Sequence, residues 1–153
     1  MAEKLIINSS SAAETIMIGQ KIGEKLRGGE LIELISDLGG GKTTLTKGLA
    51  EGIGSKDKVH SPSFTIENEY ISGPLTIHHL DFYRLDDPGI MKQELLEIIE
   101  DRLAVVVIEW ANIVEDLLPD KRLIVRLVVD DQNSRQIIID FPTNLKYLVE
   151  GLV

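Results

Sequence analysis

The chain has no cysteine among its 153 residues. This absence excludes a disulfide scaffold, a cysteine-ligated zinc site and a cysteine nucleophile, and it is typical of a cytoplasmic protein. Long apolar runs are also missing, because none approaches the roughly 18 residues that a membrane helix needs. We therefore expect no membrane span and no signal peptide.

Positive charge is scarce as well. The sequence has 16 Lys and Arg against 25 Asp and Glu, which gives a net charge of −9. Such an acidic chain is a poor candidate for binding nucleic acid through direct phosphate contacts. Hydrophobic residues make up 43% and charged residues 27%, which is ordinary for a globular protein. The length is close to that of one typical domain, so we predict a single domain over residues 1–153.

Segments with helical periodicity alternate with short apolar runs along the chain. This alternation predicts an α/β fold, a three-layer sandwich with a mostly parallel sheet and attached antiparallel hairpins. The predicted helices span 12–26, 43–53, 93–101 and 144–152. The predicted strands span 5–7, 31–35, 64–71, 75–80, 104–108, 123–129 and 136–139.

The strand at 31–35 runs directly into a glycine cluster that is followed by Lys-Thr. Residues 36–44 read SDLGGGKTT, a strand–loop–helix context typical of a phosphate-binding loop, although the usual first glycine is Ser36 here. Glycines let backbone N–H groups converge on a phosphate, and the helix start adds unpaired N–H groups. The lysine of such a loop reaches the β- and γ-phosphates, and its threonine hydroxyl binds Mg²⁺. The predicted nucleotide-binding residues are Gly39, Gly40, Gly41, Lys42, Thr43 and Thr44, with Thr43 on the metal.

Two predicted strands end in a carboxylate. Glu109 follows the strand at 104–108, and Asp81 follows the strand at 75–80. The carboxyl ends of parallel strands line the ligand crevice of such a sheet. Either carboxylate could therefore hold Mg²⁺ or orient an attacking water.

Trp110 and the histidines carry weaker functional signals. Trp110, the only tryptophan, directly follows Glu109, so it either packs in the core or borders the nucleotide. His78 and His79 point to opposite faces of a strand and cannot chelate one metal together. We interpret both as surface or satisfied core histidines.

An ordered set of these pieces resembles one bacterial family. In chain order the set consists of Glu14-Thr15, residues 37–44, residues 61–65 with 68–70, residues 79–85, and Glu109-Trp110. It is similar to the ATPase family required for threonylcarbamoyladenosine modification of tRNA, the TsaE or YjeE-like family. The resemblance extends over nearly the whole chain.

The resemblance implies a compact phosphate-loop fold and Mg²⁺-dependent ATP hydrolysis in the cytoplasm. It implies docking on a threonylcarbamoyl transferase subunit and its paralogue, so that tRNA is met only indirectly through that complex. Its residue assignments are catalytic roles for Lys42, Asp81 and Glu109, metal binding by Thr43 and Glu109, ATP contacts from Trp110 and Arg135, and a switch-like loop that contains Ser61 and Thr65.

Two other functions share the same loop. A small-molecule kinase needs a lid, often with several arginines, and the second half of this chain has few. A non-catalytic, nucleotide-dependent binding module is the other alternative.

We further expect Lys42 to be exposed to solvent without nucleotide. We also expect hydrolysis by the isolated chain to be slow, because Lys42 is the one basic residue clearly placed for the γ-phosphate and Arg84 faces away if its strand continues.

Overall fold

The computed structural model describes residues 2–36, 41–62, 67–83, 85, 87, 89–130 and 134–152. Several predicted positions lie outside these residues. They are Gly39 and Gly40 of the phosphate loop, Thr65 of the switch-like loop, Arg84, and part of the loop predicted between the last two strands.

Seven strands form one sheet within the described residues. The strands are β1 (Ala2–Ser9), β2 (Leu31–Ile35), β3 (Glu67–Ser72), β4 (Leu75–Asp81), β5 (Ala104–Glu109), β6 (Leu123–Val129) and β7 (Arg135–Pro142). The helices are α1 (Ala12–Gly23), α2 (Lys42–Ile53) and α3 (Ile90–Glu100), with 3₁₀ helices at Ala111–Leu117 and Thr143–Leu148.

The strand order is β1-β7-β6-β2-β5-β4-β3. Strands β6, β2, β5 and β4 are parallel neighbours and form the core of the sheet. The pairs β3–β4, β6–β7 and β1–β7 are antiparallel, and the first two are the predicted hairpins. The predicted α/β fold with a parallel core and antiparallel hairpins is confirmed.

Strand β5 shows why the sheet has a layer of helices on each face. All six of its residues are buried, as expected for a central parallel strand. Val105 and Val107 pack in one apolar cluster with side chains of α1 and α2. Val106 and Ile108 pack in a second cluster with Leu95 of α3 and with the first 3₁₀ helix. The helices therefore cover both faces.

Helices α1 and α2 approach each other closely through glycines. A Cβ on Gly19 would lie 2.5 Å from the Leu45 carbonyl oxygen, and one on Gly48 would lie 2.2 Å from that of Ile16. Neither position has room for a larger residue. This packing fixes the direction of α2, which begins at the phosphate-loop lysine.

Local hydrogen bonds set the ends of α1. The Ser11 hydroxyl accepts from the Glu14 N–H at 3.1 Å and caps the start of the helix. The helix ends at Gly23 rather than at the predicted residue 26. The α-helical bonds stop there because the N–H groups of Lys25 and Leu26 donate to the carbonyls of Ile22 and Gly23, three residues earlier. The next two N–H groups, of Arg27 and Gly28, donate to the Glu30 side chain.

Strands β1 and β7 are longer than the predicted 5–7 and 136–139, and α3 begins at residue 90 rather than 93. Two larger differences concern tightly wound turns. The closing helix predicted over 144–152 is a 3₁₀ helix at Thr143–Leu148, and the N–H of Val149 donates to the carbonyl of Lys146 three residues earlier. The 3₁₀ helix at Ala111–Leu117 was not predicted. Across the part of the chain that the structure describes, no helix is long and apolar enough to span a membrane.

Candidate functional site

Lys42 of the predicted phosphate loop and the two predicted carboxylates meet at the edge where the parallel strands of the core end. Asp81 and Glu109 are the last residues of β4 and β5, and they lie opposite each other in the register. Helix α2 begins beside them at Lys42. Gly41 precedes it with φ of 102°, a left-handed conformation that favours glycine.

Lys42 is buried at this edge, with only 7% of its surface exposed. Its Nζ lies 3.6 Å from Glu109 Oε1 and 3.4 Å from the Ser36 carbonyl oxygen. The same atom lies 4.8 Å from the centroid of the Trp110 ring, within cation–π range. The expectation that Lys42 is exposed without nucleotide is therefore wrong, because a carboxylate and an aromatic ring replace the water around it.

Glu109 is buried at 3% exposure and is held from two sides. Lys42 faces one carboxylate oxygen, and His79 Nε2 lies 2.5 Å from the other. His79 is fully buried, and its Nδ1 lies 3.0 Å from the Tyr70 hydroxyl. Of the two predicted alternatives, a surface or a satisfied core histidine, His79 is therefore the satisfied core one, and its contact with Glu109 was not predicted. Its parity with Asp81 on one strand was the available signal that it faces the same side.

The adjacent His78 faces the other side of the sheet, as strand alternation predicts. Its Nδ1 lies 3.1 Å from Glu67 and 3.5 Å from Glu69 on the neighbouring strand β3. His78 is partly exposed, and these contacts are with strand β3 rather than with Lys42 or Glu109. The two consecutive histidines therefore belong to different environments.

Asp81 is half-buried next to Glu109. Its Oδ1 accepts a hydrogen bond of 3.0 Å from the Tyr83 N–H. Burial raises the pKa of Asp81, and the nearby Glu109 charge adds to that shift, whereas the Tyr83 N–H opposes it. Two acidic groups thus lie side by side in different electrostatic surroundings.

Trp110 borders a pocket and adopts a rare backbone conformation. Among the described residues it is the one non-glycine with positive φ, at 56°. The Tyr83 ring packs on it with centroids 4.8 Å apart. The pocket has a volume of about 130 Å³ and lies between the end of β2, Lys42 and the first 3₁₀ helix. The alternative in which Trp110 borders the predicted nucleotide site is the one that this placement favours.

The other predicted site residues lie around this edge to different degrees. Arg135, the first residue of β7, packs against the phosphate loop, since a Cβ on Gly41 would lie 2.7 Å from its Nε. Thr43 and Thr44 are half-buried in the first turn of α2. Ser61 is exposed and follows His60, whose carbonyl accepts from the Tyr70 hydroxyl at 3.1 Å.

Comparison with known proteins identifies the family. The sequence model of the family described as "Threonylcarbamoyl adenosine biosynthesis protein TsaE" matches residues 9–137. The Bacillus subtilis (strain 168) protein named tRNA threonylcarbamoyladenosine biosynthesis protein TsaE is 39% identical over 124 residues, covering 79% of this chain and 77% of that protein. The protein of the same name from Treponema pallidum (strain Nichols) is 36% identical over 135 residues, covering 86% and 96%.

The fold is similar to a solved structure over almost its whole length. The crystal structure of YdiB from Bacillus subtilis matches with a TM-score of 0.81 and 31% identity, covering 99% of this chain and 95% of that one. Sequence and fold thus agree with the resemblance carried by the phosphate loop, the residues at 79–85 and Glu109-Trp110. The chain belongs to the TsaE family of tRNA threonylcarbamoyladenosine biosynthesis proteins.

Proposed function

We propose that this chain is a Mg²⁺-dependent ATPase that supports threonylcarbamoyladenosine modification of tRNA. The observation that carries the proposal is the buried Lys42–Glu109 pair, 3.6 Å apart at the start of α2 and the end of β5. A lysine at this position can exchange its carboxylate partner for phosphate oxygens by rotating its side chain. Glu109 would then remain beside the phosphate oxygens, where its carboxylate could bind Mg²⁺.

Three groups support ATP binding at this edge. The first turn of α2 offers backbone N–H groups and the positive end of the helix dipole to the phosphates. Arg135 packs against Gly41 and supplies positive charge beside the loop. The pocket bordered by Trp110 offers an aromatic wall to the rest of the nucleotide.

The oxygen donors at the site fit Mg²⁺. Mg²⁺ prefers oxygen ligands of the kind that the Thr43 hydroxyl and the Glu109 carboxylate supply. Thr43 follows Lys42 in the first turn of α2, and Glu109 is the last residue of β5. Bound there, Mg²⁺ would neutralise charge on the phosphate oxygens. We assign the metal contact to Thr43 and Glu109.

Asp81 is the second acidic group and has a separate task in the proposal. It lies beside Glu109 in the register and orients the attacking water. Water oxygen bonds to the γ-phosphorus, the bond from that phosphorus to the bridging oxygen of ADP breaks, and the water proton leaves through Asp81 or solvent. Lys42 and Arg135 stabilise the charge on the phosphate oxygens.

The partners in the proposal are the threonylcarbamoyl transferase subunit and its paralogue, met in the cytoplasm. A net charge of −9 disfavours direct phosphate contacts with tRNA. Docking on those subunits would place this chain in the modification cycle without such contacts. We expect the partners to accelerate hydrolysis, since external positive charge at a phosphoryl-transfer site contributes roughly 10³–10⁵ in rate.

The test is phosphate release from ATP with Mg²⁺ and no added acceptor. We expect Lys42→Ala to lose most ATP affinity or turnover, and Lys42→Met to do the same while keeping an apolar stem. Lys47→Ala is the matched control, because Lys47 is an exposed lysine on the same helix. Thermal unfolding checks that each variant folds.

The outcomes separate the alternatives. Hydrolysis by folded Lys42→Ala at the wild-type rate would refute the phosphate-loop assignment. ATP consumption only after addition of an acceptor would indicate a small-molecule kinase. Saturable ATP binding with no turnover, with or without the transferase subunits, would indicate a binding module. Equal rates with and without bound partners would show a self-sufficient ATPase.

A further inference from the structure

A line of polar contacts of hydrogen-bond length runs from a loop to Glu109 through two buried side chains. The carbonyl of His60 lies 3.1 Å from the Tyr70 hydroxyl, which lies 3.0 Å from His79 Nδ1. His79 Nε2 then lies 2.5 Å from Glu109 Oε2. Tyr70 and His79 are 1% and 0% exposed, so water does not substitute for either partner.

The chemistry of the acceptors orders the protons along this line. The Glu109 carboxylate accepts hydrogen bonds, so Nε2 of His79 is the donor in the contact between them. The Tyr70 hydroxyl has a single hydrogen, which it donates either to Nδ1 of His79 or to the His60 carbonyl. The His60 carbonyl keeps a donor in either case, because the Asn68 side-chain amide lies 3.0 Å away.

The two oxygens of Glu109 therefore have separate partners. Oε2 is fixed by His79, and Oε1 faces Lys42 and the start of α2. A glutamate side chain has three torsion angles, and holding one carboxylate oxygen in place constrains all three. The position of Oε2 therefore determines where Oε1 points. Groups behind a metal-binding carboxylate orient it in this way.

We propose that His79 is a positioning residue that aims Glu109 at the nucleotide and its metal, and that Tyr70 links this aim to His60. This inference rests on the proposed ATPase function. His60 immediately precedes Ser61, the first residue of the predicted switch-like loop. A movement of His60 would change the partner of the Tyr70 hydroxyl and hence the support behind Glu109.

The competing explanation is that His79 only fills space in the core. An apolar side chain of similar size would then preserve activity wherever it preserved the fold. The positioning role instead requires an N–H directed at Glu109, because the carboxylate loses its orientation without it. Removal of the donor should therefore act on turnover more than on ATP binding.

The test compares His79→Leu with His79→Gln. Leucine removes the donor, and we expect kcat to fall about 10- to 100-fold while KM for ATP stays within about threefold. Glutamine retains an amide N–H in the direction of Nε2, so we expect it to recover most of the lost turnover. Tyr70→Phe removes the bond to Nδ1 and should lower kcat about fivefold, the effect of one hydrogen bond.

His78→Leu and His78→Gln are the matched controls. His78 is the preceding residue on the same strand, but it faces Glu67 and Glu69 on the other side of the sheet. We expect both controls to hydrolyse ATP like the wild type. Urea unfolding of all variants shows whether a loss of activity follows a loss of fold.

A second measurement does not depend on turnover. The Mg²⁺ dependence of ADP binding, followed by Trp110 emission, should shift about tenfold towards higher Mg²⁺ in His79→Leu and remain near wild type in His79→Gln. Absent hydrolysis by the wild type, both with and without the transferase subunits, would refute the proposed function, and this shift would then decide the positioning role by itself. Wild-type behaviour of folded His79→Leu in both assays, or equal losses in the leucine and glutamine variants, would overturn it.

Discussion

Two buried glutamates lie at opposite ends of the parallel strands, and their hydrogen-bond partners are of different kinds. Glu30 precedes β2 at its amino end and is 4% exposed. It accepts from the N–H groups of Arg27 at 2.9 Å and Gly28 at 2.7 Å, and from the Tyr147 hydroxyl at 2.5 Å. Two of these donors belong to the backbone and cannot turn away without unwinding the loop.

Glu109 at the carboxyl end of β5 is equally buried, at 3% exposure. Its partners are the side chains of Lys42 and His79, and Lys42 can leave by simple rotation. Burial of a carboxylate is therefore no sign of function by itself. The difference lies in the partners, because backbone donors fix a loop whereas rotation of the Lys42 side chain would open one oxygen of Glu109 to new ligands.

The largest contrast should come from removing each charge in turn. Glu109→Gln keeps the side-chain shape and removes the charge that we assign to Mg²⁺. We expect Mg²⁺-dependent ATP hydrolysis to fall at least about 100-fold, with ADP binding retained. Steady-state phosphate release and calorimetric titration with ADP measure the two effects.

The matched variant is Glu30→Gln, which should hydrolyse ATP like the wild type when folded. If Asp81→Asn abolishes the dependence on Mg²⁺ and Glu109→Gln does not, the two acidic roles are reversed. Loss of hydrolysis in Glu30→Gln at unchanged stability would remove the contrast between the two edges.

The next effect concerns stability at the Glu30 edge. Glu30→Ala leaves two backbone N–H groups and a hydroxyl without their acceptor. We expect the free energy of unfolding to fall by about 3 kcal/mol, within the range for buried donors that lose a charged partner. Urea denaturation measures it, and a variant as stable as the wild type would show that the Glu30 bonds do not hold this loop.

A smaller effect tests whether Arg135 belongs to the proposed nucleotide site around Glu109. Arg135→Ala removes the positive charge that packs against Gly41, and we expect ATP affinity to fall about tenfold. Arg126→Ala is the control, because Arg126 forms its ion pair with Asp140 on the neighbouring strand β7. Equal affinities of the two variants would place Arg135 outside the nucleotide site.

The smallest expected effect is a pH dependence of the free energy of unfolding that arises at His78 rather than at Glu30 or Glu109. The hydrogen bond to Glu67 raises the pKa of His78 above its usual value, and the charges of Glu69 and Asp101 add to this. A raised pKa stabilises the fold below the unfolded-state pKa, and the contribution is lost as pH rises through the folded-state value. His78→Gln should therefore cost stability at pH 6 and less at pH 9.

The size of this pH effect should stay below about 1 kcal/mol, since the group is partly exposed. Urea denaturation at the two pH values measures it. A cost that is larger at pH 9 than at pH 6 would contradict the assigned direction of the pKa shift.

The sequence predicted the elements that depend on local pattern. The apolar run at 104–108, the strand leading into the glycine cluster and both hairpins appear where expected, because runs, turns and glycines act over a few residues. The meeting of Asp81 and Glu109 also followed from a general rule of parallel sheets.

The contacts that give the site its character were not predictable in this way. His79 and Glu109 are 30 residues apart, and Tyr147 and Glu30 are 117 apart. Such pairings depend on strand order and register, which no local pattern encodes. The burial of Lys42 was missed for the same reason, since it requires Glu109 and Trp110 to arrive from another strand.

The most direct measurement of the central claim is a nucleotide titration followed by Trp110 emission. Trp110 is the only tryptophan, and its ring lies 4.8 Å from Lys42 Nζ. We predict a saturable change in emission with ADP and Mg²⁺, weakened strongly by Lys42→Ala and left unchanged by Glu30→Gln. A flat titration, with ADP binding confirmed by calorimetry, would contradict the placement of the nucleotide at the Lys42–Glu109 edge.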